Sequence, residues 1–166
     1  MNTRSVIATL STVAEFPKGT FLENLAVRTD NSLLVTSLKA HELWYVGAGK
    51  PGEQVEPALL YTFDKSPMSM VEPEPDVFYL CTSDGYKSHA SSLYRIDLRT
   101  WSPGREVHPE LVLTFPSAVR ALNGSCLVGP KTILIADCFA SLIWRVDLSP
   151  DGRIRERLGQ AILLIY

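Results

Sequence analysis

Residues 141–148 read SLIWRVDL, and residues 92–98 read SLYRIDL. A shorter copy, ELWYV, stands at residues 42–46. Each copy carries an aromatic residue, and these residues recur at intervals of 50: Trp44, Tyr94 and Trp144. A fixed interval of this size indicates an internal repeat in which each copy is one supersecondary unit. We expect the three aromatic rings to pack between neighbouring units.

Three further segments recur in the same order in each unit. One ends in a Phe: VAEFP (13–17), LLYTFD (59–64) and LVLTFP (111–116). The next is a short inner segment: LENLAV (22–27), MSMVE (68–72) and LNGSCLV (122–128). The last is an apolar segment that leads into polar residues: LLVTS (33–37), VFYLCTS (77–83) and TILIADC (132–138). These segments are β-branched or aromatic and are bounded by turn residues, which predicts four strands per unit and no long helix.

Four short strands in a unit of about 45–50 residues are typical of a propeller blade. We predict an all-β fold of the six-bladed propeller type, in one partial domain over residues 1–166. Its blades would span about 8–50, 57–103 and 109–150, with the first strand of a fourth at 153–166. Three blades do not close a ring, so we expect an open sheet edge near the C-terminal end, or a homodimer that completes the propeller. The alternative is a β-sandwich of short strands, which does not require an aromatic residue at a fixed interval.

Composition excludes several classes of function. Hydrophobic residues make up 46% of the chain, charged residues 20%, and the net charge is −2, which is ordinary globular composition without a nucleic-acid-binding footprint. No apolar run approaches the roughly 20 residues of a membrane helix, and the first residues lack a secretory pattern, so a cytoplasmic location is expected. The three cysteines, Cys81, Cys126 and Cys138, are expected to be reduced and buried.

The inner segments carry the candidate site residues, because the innermost strands of a propeller line its central channel. Counting back from the second strand places Glu23, Ser69 and Asn123 at about the same position of successive blades. A carboxylate and an amide oxygen are hard ligands, suited to Ca²⁺, Mg²⁺ or Mn²⁺. The alternative readings are an exposed strand carboxylate at Glu23, a space-filling serine, and a turn residue at Asn123, which precedes Gly124. Asp137 ends an apolar strand and is a secondary candidate, expected to accept hydrogen bonds from the neighbouring blade.

The histidines do not predict a metal site. His41, His89 and His108 all lie in predicted loops, and none has the spacing to a second ligand that zinc requires. There is also no GxSxG motif, so no residue pattern favours a serine nucleophile.

The strings FLENLAV, EPEPDVFYL and ALNGSCLVGPKTILIADCFASLIWRVDL carry a family resemblance over about residues 13–157. The chain resembles the senescence-marker-protein and gluconolactonase-like six-bladed propellers, in particular the fungal branch found in secondary-metabolite gene clusters. That resemblance implies a divalent metal held by a Glu of the first blade, an Asn of the third and an Asp of a later blade. Glu23 and Asn123 match the first two, and residues 1–166 contain no match to the later Asp, which is also the general base of the family's lactonases.

The fungal resemblance implies a second chemistry. Members of that branch look like hetero-Diels–Alderases, pericyclases that join a polyketide-derived quinone methide to a terpene alkene. Such a reaction needs an apolar pocket that holds the two partners in a reactive geometry and a donor that polarises a carbonyl. The expectation is therefore a pericyclase acting on a polyketide-like or terpenoid-like small molecule without a certain cofactor. A metal-dependent lactonase and a non-catalytic partial propeller or binding module are the alternatives.

Overall fold

A computed structural model describes residues 10–85, 87–151, 154 and 159–162. Every regular element in this part of the chain is a strand, so it includes no helix long and apolar enough to cross a membrane. The first sheet consists of β1 (Leu22–Val27), β2 (Leu33–Ser37), β3 (Glu42–Val46) and β4 (Ala58–Thr62). The second consists of β5 (Ser66–Glu74), β6 (Val77–Ser83), β7 (Ser91–Asp97) and β8 (Glu110–Thr114). The third consists of β9 (Leu122–Leu127), β10 (Thr132–Asp137), β11 (Leu142–Asp147) and β12 (Gly159–Ile162).

Each sheet is an antiparallel meander of four strands in chain order. The first strands of the three sheets lie side by side, with β5 between β1 and β9. This is the blade arrangement that the repeat predicts, and it places the inner segments next to one another. We call the end at which β1, β5 and β9 begin the entry end.

Two apolar cores hold the three sheets together. The first lies between sheets one and two and includes Leu34, Leu43, Phe78 and Leu80. The second lies between sheets two and three and has Tyr79, Cys81, Leu93, Ile133, Ile135 and Trp144 among its members. Successive residues of β6 point to opposite faces and enter different cores, because side chains alternate along a strand. The middle sheet is therefore buried on both faces, and the two outer sheets are each packed on one face.

The strand predicted at 13–17 (VAEFP) is wrong, since the first strand begins at Leu22. The grouping of strands also differs from the prediction at three places. β4 was expected to open the second blade, β8 the third, and the segment near 159–162 a fourth. Each instead pairs with the strand before it and completes the preceding sheet. The cause is the hydrogen bonding of the outer edge: Glu42 pairs with Thr62, and Phe63 then donates its N–H to the carbonyl of His41. The first sheet accordingly runs from Leu22 to Thr62, and sheet three has four strands.

An ionic contact links sheets one and two at the end opposite the entry end. The Arg28 guanidinium, of which only 7% is exposed, donates from Nε to Oδ1 of Asp76 at 2.8 Å. It also lies over the Trp101 ring, 5.6 Å from its centroid. Lys131 and Glu74 form a comparable pair between sheets three and two. These contacts fix the relative positions of sheets whose first strands carry the candidate site residues.

Candidate functional site

A β-bulge interrupts the pairing of the first and second strands near the entry end of each sheet. The pairs on the entry side of the three bulges are Leu22 with Ser37, Pro67 with Thr82, and Leu122 with Asp137. The residues that follow in the first strands are Glu23, Met68 and Asn123. The structure thus places Glu23 and Asn123 at the same position of sheets one and three, as predicted. The predicted position of Ser69 is wrong by one residue, because β6 continues one residue beyond Thr82 to Ser83, so counting back from the end of the second strand misses the equivalent position, Met68.

The Ser69 side chain is enclosed between sheets two and three. Only 1% of this residue is exposed, and its hydroxyl donates to the backbone carbonyl of Asn123 at 2.6 Å. The same oxygen lies 3.0 Å from the sulfur of Cys81. Ser69 therefore positions Asn123 by joining β5 to β9, and a catalytic contact with substrate stays a prediction.

Asp137 is an acceptor as predicted, but its donors lie in its own sheet and the adjoining segments and not in the neighbouring sheet. Its carboxylate accepts hydrogen bonds from the backbone N–H groups of Arg120 at 2.8 Å and Ala121 at 2.9 Å, and from the indole of Trp144 at 3.1 Å. Burial by itself raises the pKa of Asp137, but these bonds outweigh burial and hold the pKa below its ordinary value of 3.8. Asp137 thus fixes the segment that leads into β9 and Asn123.

A small pocket lies at the entry end between the first strands of sheets two and three. Its volume is about 90 Å³, and it is lined by Leu38, Ser66, Met68, Ser83, Asp84, Gly85, Ala121, Leu122, Asn123, Cys138 and Phe139. Most of this lining is apolar, and Asn123 supplies an amide. Asp84 adds a carboxylate that accepts hydrogen bonds from the hydroxyl of Ser88 at 2.9 Å and its N–H at 3.2 Å. Burial raises the pKa of Asp84, but these bonds outweigh it and the net pKa is lowered, so the pocket has a negative charge at neutral pH.

Glu23 lines a different and larger cavity, with a volume of about 680 Å³. This cavity lies on the outer face of sheet one, and Leu25, Leu33 and Val35 form part of its apolar wall. Because it is bounded by one sheet face and the segment before β1, it is not formed where the first strands meet. The described part of the chain therefore brings Asn123 and Met68 into one pocket but does not bring Glu23 into it.

Other candidate ligand groups are dispersed. Over the described residues, no three His, Cys, Asp or Glu side chains form a cluster that could hold a metal ion. Cys81 is buried as predicted, and burial raises the pKa of its thiol to about 11. The prediction is wrong for Cys126 and Cys138, which are exposed: Cys126 lies on the outer face of sheet three, and Cys138 follows β10 at the entry end.

Sequence reasoning missed most of the pocket lining, including Ser66, Met68, Asp84 and Phe139. These residues come from the start of β5 and from the loops that join the second and third strands of sheets two and three. Of these residues, Met68 could have been found from the sequence, since it lies in an inner segment directly before Ser69, the predicted site residue.

Comparison with known proteins supports the fold. No protein-family model matches the chain, and no curated protein matches it. Among solved structures, a protein of unknown function from Desulfotomaculum acetoxidans aligns with 95% of this chain and 46% of its own, at 16% identity and a TM-score of 0.63. A candidate 6-phosphogluconolactonase from Bacteroides fragilis aligns with 82% of this chain and 38% of its own, at 12% identity and a TM-score of 0.54.

A catalytically inactive virginiamycin B lyase from Staphylococcus aureus, solved with quinupristin, is also similar. It aligns with 82% of this chain and 40% of its own, at 16% identity and a TM-score of 0.50. With the three four-stranded sheets, these neighbours define the class: the chain has an all-β fold of the propeller type. The chain spans less than half the length of each of these structures.

Proposed function

We propose that this chain forms part of a propeller enzyme that binds a small, largely apolar molecule at the entry end of its first strands. The observation that carries the proposal is the pocket between sheets two and three, which is mostly apolar and contains the amide of Asn123. Small-molecule sites are typically concave and apolar with a few polar groups that fix orientation. The hydroxyl of Ser69 donates a hydrogen bond to the backbone carbonyl of Asn123. This bond fixes the position of Asn123 in β9, from which its side-chain amide extends.

The leading reaction is a pericyclic ring closure of the hetero-Diels–Alder type. Two new bonds form between a heterodiene and an alkene, no atom leaves, and no proton is transferred. The protein's contribution is to hold the two partners at reactive distance and to polarise the heterodiene carbonyl. Asn123 would donate the hydrogen bond to that carbonyl, and Met68 and Leu122 would contact the adjoining hydrocarbon. The pocket of about 90 Å³ would take this end of the heterodiene, and the alkene would lie outside it along the first strands.

The test is product formation from a quinone methide, generated in the assay, and a terpene alkene. Asn123→Leu keeps a similar volume and removes the donor, and we expect it to lower the rate above background by on the order of 100-fold. Leu111→Ala, on the outer strand β8, is the control and should leave the rate unchanged. Equal rates for the native chain and Asn123→Leu would contradict the proposed role of Asn123, and a chelator should have no effect on this reaction.

A metal-dependent lactonase is the second candidate, and the matched positions of Glu23 and Asn123 favour it. Both residues follow the same pairing position in sheets one and three, so both present hard oxygen atoms at equivalent points of the first strands. A ring would bring such positions towards one axis. Calorimetric titration with Mn²⁺ tests this: binding that is lost in Glu23→Gln, together with lactone hydrolysis that stops with chelator, would establish the lactonase and exclude the pericyclase as the main activity.

A further inference from the structure

The outer face of sheet one is apolar, and among the residues that the structure describes only the segment before β1, and no sheet, lies against it. Leu25 is 58% exposed, Val27 54% and Leu22 46%, and these residues lie beside the cavity of about 680 Å³. A contiguous apolar surface of this kind usually marks an interface in a soluble protein. We call it the first open face.

The first open face repeats the residues of a face that is already packed on a sheet. Sheet three presents Ile133, Ile135 and Val146 to sheet two, and all three are at most 1% exposed. The residues 100 positions earlier are Leu33, Val35 and Val46, which line the cavity on the first open face. Leu33 is half-buried, whereas Val35 (5% exposed) and Val46 (0% exposed) are already buried within the single chain. The register of the strands is also shared, since Leu33 pairs with Val46 and Ile133 with Val146. The first open face therefore repeats the apolar pattern and register with which sheet three packs against sheet two, and its exposed part is the apolar strand β1 with Leu22, Leu25 and Val27.

The outer face of sheet three shows the reciprocal relation. Sheet one presents Leu34 and Leu43 to sheet two, and both are fully buried. The residues 100 positions later, Leu134 and Ile143, point away from sheet two and are only half-buried. We call this surface the second open face. It carries the apolar pattern of a face that packs against the next sheet, so the two open faces complement each other.

The phenylalanines that precede the first strands support the same arrangement. Phe63 is 4% exposed in the core between sheets one and two, and Phe115 is 6% exposed in the core between sheets two and three. Phe16 has the corresponding place before β1, where it contacts the ring of Trp44 with centroids 5.7 Å apart and stays half-exposed. Phe16 thus lies where a contact between two sheets is expected, and of the described residues only those of sheet one contribute to it.

We propose that a second copy of this chain covers both open faces and closes a ring of six sheets. The second open face of one copy packs on the first open face of the other, and the same contact forms twice around a two-fold axis. Head-to-tail contacts form a closed ring when a whole number of copies completes a rotation of 360°. Propellers form closed rings of four to eight blades, and two copies would supply six. The parts of two solved neighbours that align with this chain are 46% and 38% of their own lengths, so a second copy supplies most or all of the remaining amount of chain.

Ring closure would complete the Glu23 and Asn123 pair of the second candidate function, the metal-dependent lactonase, and in this respect the inference rests on that proposed function. Within one chain, β5 with Met68 separates Glu23 from Asn123. In the ring, sheet three of one copy adjoins sheet one of the other, so Asn123 of one copy lies on the strand next to Glu23 of the second copy. Two such pairs face the axis, and neither pair exists in a single chain.

The test is the native mass of the full chain, which is 18.4 kDa per copy, by sedimentation velocity. We expect a dimer at micromolar concentration and a shift to monomer in Leu25→Glu, which puts a charge on the first open face. Leu111→Glu is the matched control: Leu111 is 53% exposed but lies on β8, away from both open faces, and this variant should stay dimeric. A monomeric native chain, an open series of larger oligomers, or equal dissociation of the two variants would overturn the proposal.

A native cysteine gives a second readout that does not depend on activity. Cys126 is exposed on the second open face, so the dimer should protect it from a maleimide reagent, and Leu25→Glu should restore its labelling. Cys138 is also exposed but lies at the entry end, so it should be labelled in both. Rapid labelling of Cys126 in a native dimer would show that another surface forms the contact. If the native chain is a dimer in which Cys126 is protected from the maleimide but shows neither activity nor metal binding, the proposed function is contradicted and the ring is not.

Discussion

At the residue scale, the carboxylate of Asp137 fixes the approach to β9. It is 2% exposed and accepts bonds from Arg120, Ala121 and Trp144. An equivalent position in sheet one holds Ser37 and in sheet two Thr82, so only sheet three has a carboxylate among the three pairs at the bulges. The loss of this charge should therefore destabilise chiefly the segment before Asn123.

Asp137→Asn should lower the free energy of unfolding by about 2–3 kcal/mol at pH 7, because charge-assisted bonds to a buried acceptor are weakened. The pKa of Asp137 is lowered in the folded chain, so its contribution is fully present above the unfolded pKa of about 3.9 and is lost as pH falls through the folded pKa. Denaturant titrations of both proteins from pH 7 to pH 3 measure this. A difference that stays constant down to pH 3 would contradict the assigned role of the charge.

Residue positions were predictable from the sequence where the chain is regular. Glu23 and Asn123 were predicted to hold equivalent positions in the first strands of their units, and the pairing of sheets one and three has them at equivalent positions. Ser69 was misplaced because β6 is one residue longer at this end than β2 and β10, and the sequence VFYLCTS does not show which of its last residues is equivalent to Ser37 and Asp137. The exposure of Cys126 depends on which face of sheet three is open, which a strand pattern does not specify.

At the element scale, Arg28 joins two sheets through the turns at their ends. Arg28→Ala should destabilise the chain by about 3 kcal/mol, because it leaves Asp76 without its buried partner and removes the contact with Trp101. Arg99→Ala is the matched control: Arg99 also pairs with an aspartate, Asp97, but its side chain is 54% exposed and the pair lies within one sheet. Thermal and denaturant unfolding should separate the two variants, and equal effects would show that Arg28 does not link the sheets.

The loop after β6 also contacts the segment before β9 closely. A Cβ atom added at Gly85 would lie 2.7 Å from the Cβ of Ala121 and 3.3 Å from its Cα, which is too close for normal packing. Gly85→Ala should therefore cost about 1–3 kcal/mol and widen the entry-end pocket. Gly124→Ala is the control, since a Cβ there meets nothing within 4 Å. Chemical unfolding measures both, and unchanged stability in Gly85→Ala would mean that the loop can move away at little cost.

The order of strands within each unit was predictable from the sequence, but the grouping of strands into sheets was only partly so. Apolar alternation and turn residues located eleven of the strands, since these signals are local. Whether β4 belongs to the sheet before it or after it depends on edge hydrogen bonds with β3, which are not local. Which side of a sheet an apolar residue faces also depends on strand pairing: Leu33 and Ile133 point to corresponding sides of sheets one and three because Leu33 pairs with Val46 and Ile133 with Val146.

At the scale of the whole molecule, three sheets leave two complementary open faces and an incomplete axis. Sheets one and three share residue chemistry at matched positions, so each open face has a packed counterpart in the same chain. A closed ring would bury both faces and bring Asn123 next to Glu23 of a second copy. The pairing of Asn123 with Glu23 thus depends on ring closure more than on any single side chain.

Small-angle X-ray scattering of the native chain tests closure most directly. Two copies of the 166-residue chain packed as a compact ring should have a radius of gyration of about 20 Å. The pair-distance distribution should then be that of a single compact disc. A dimer with a clearly larger radius and an extended, two-lobed distribution, or a particle with the mass of one chain, would contradict the ring.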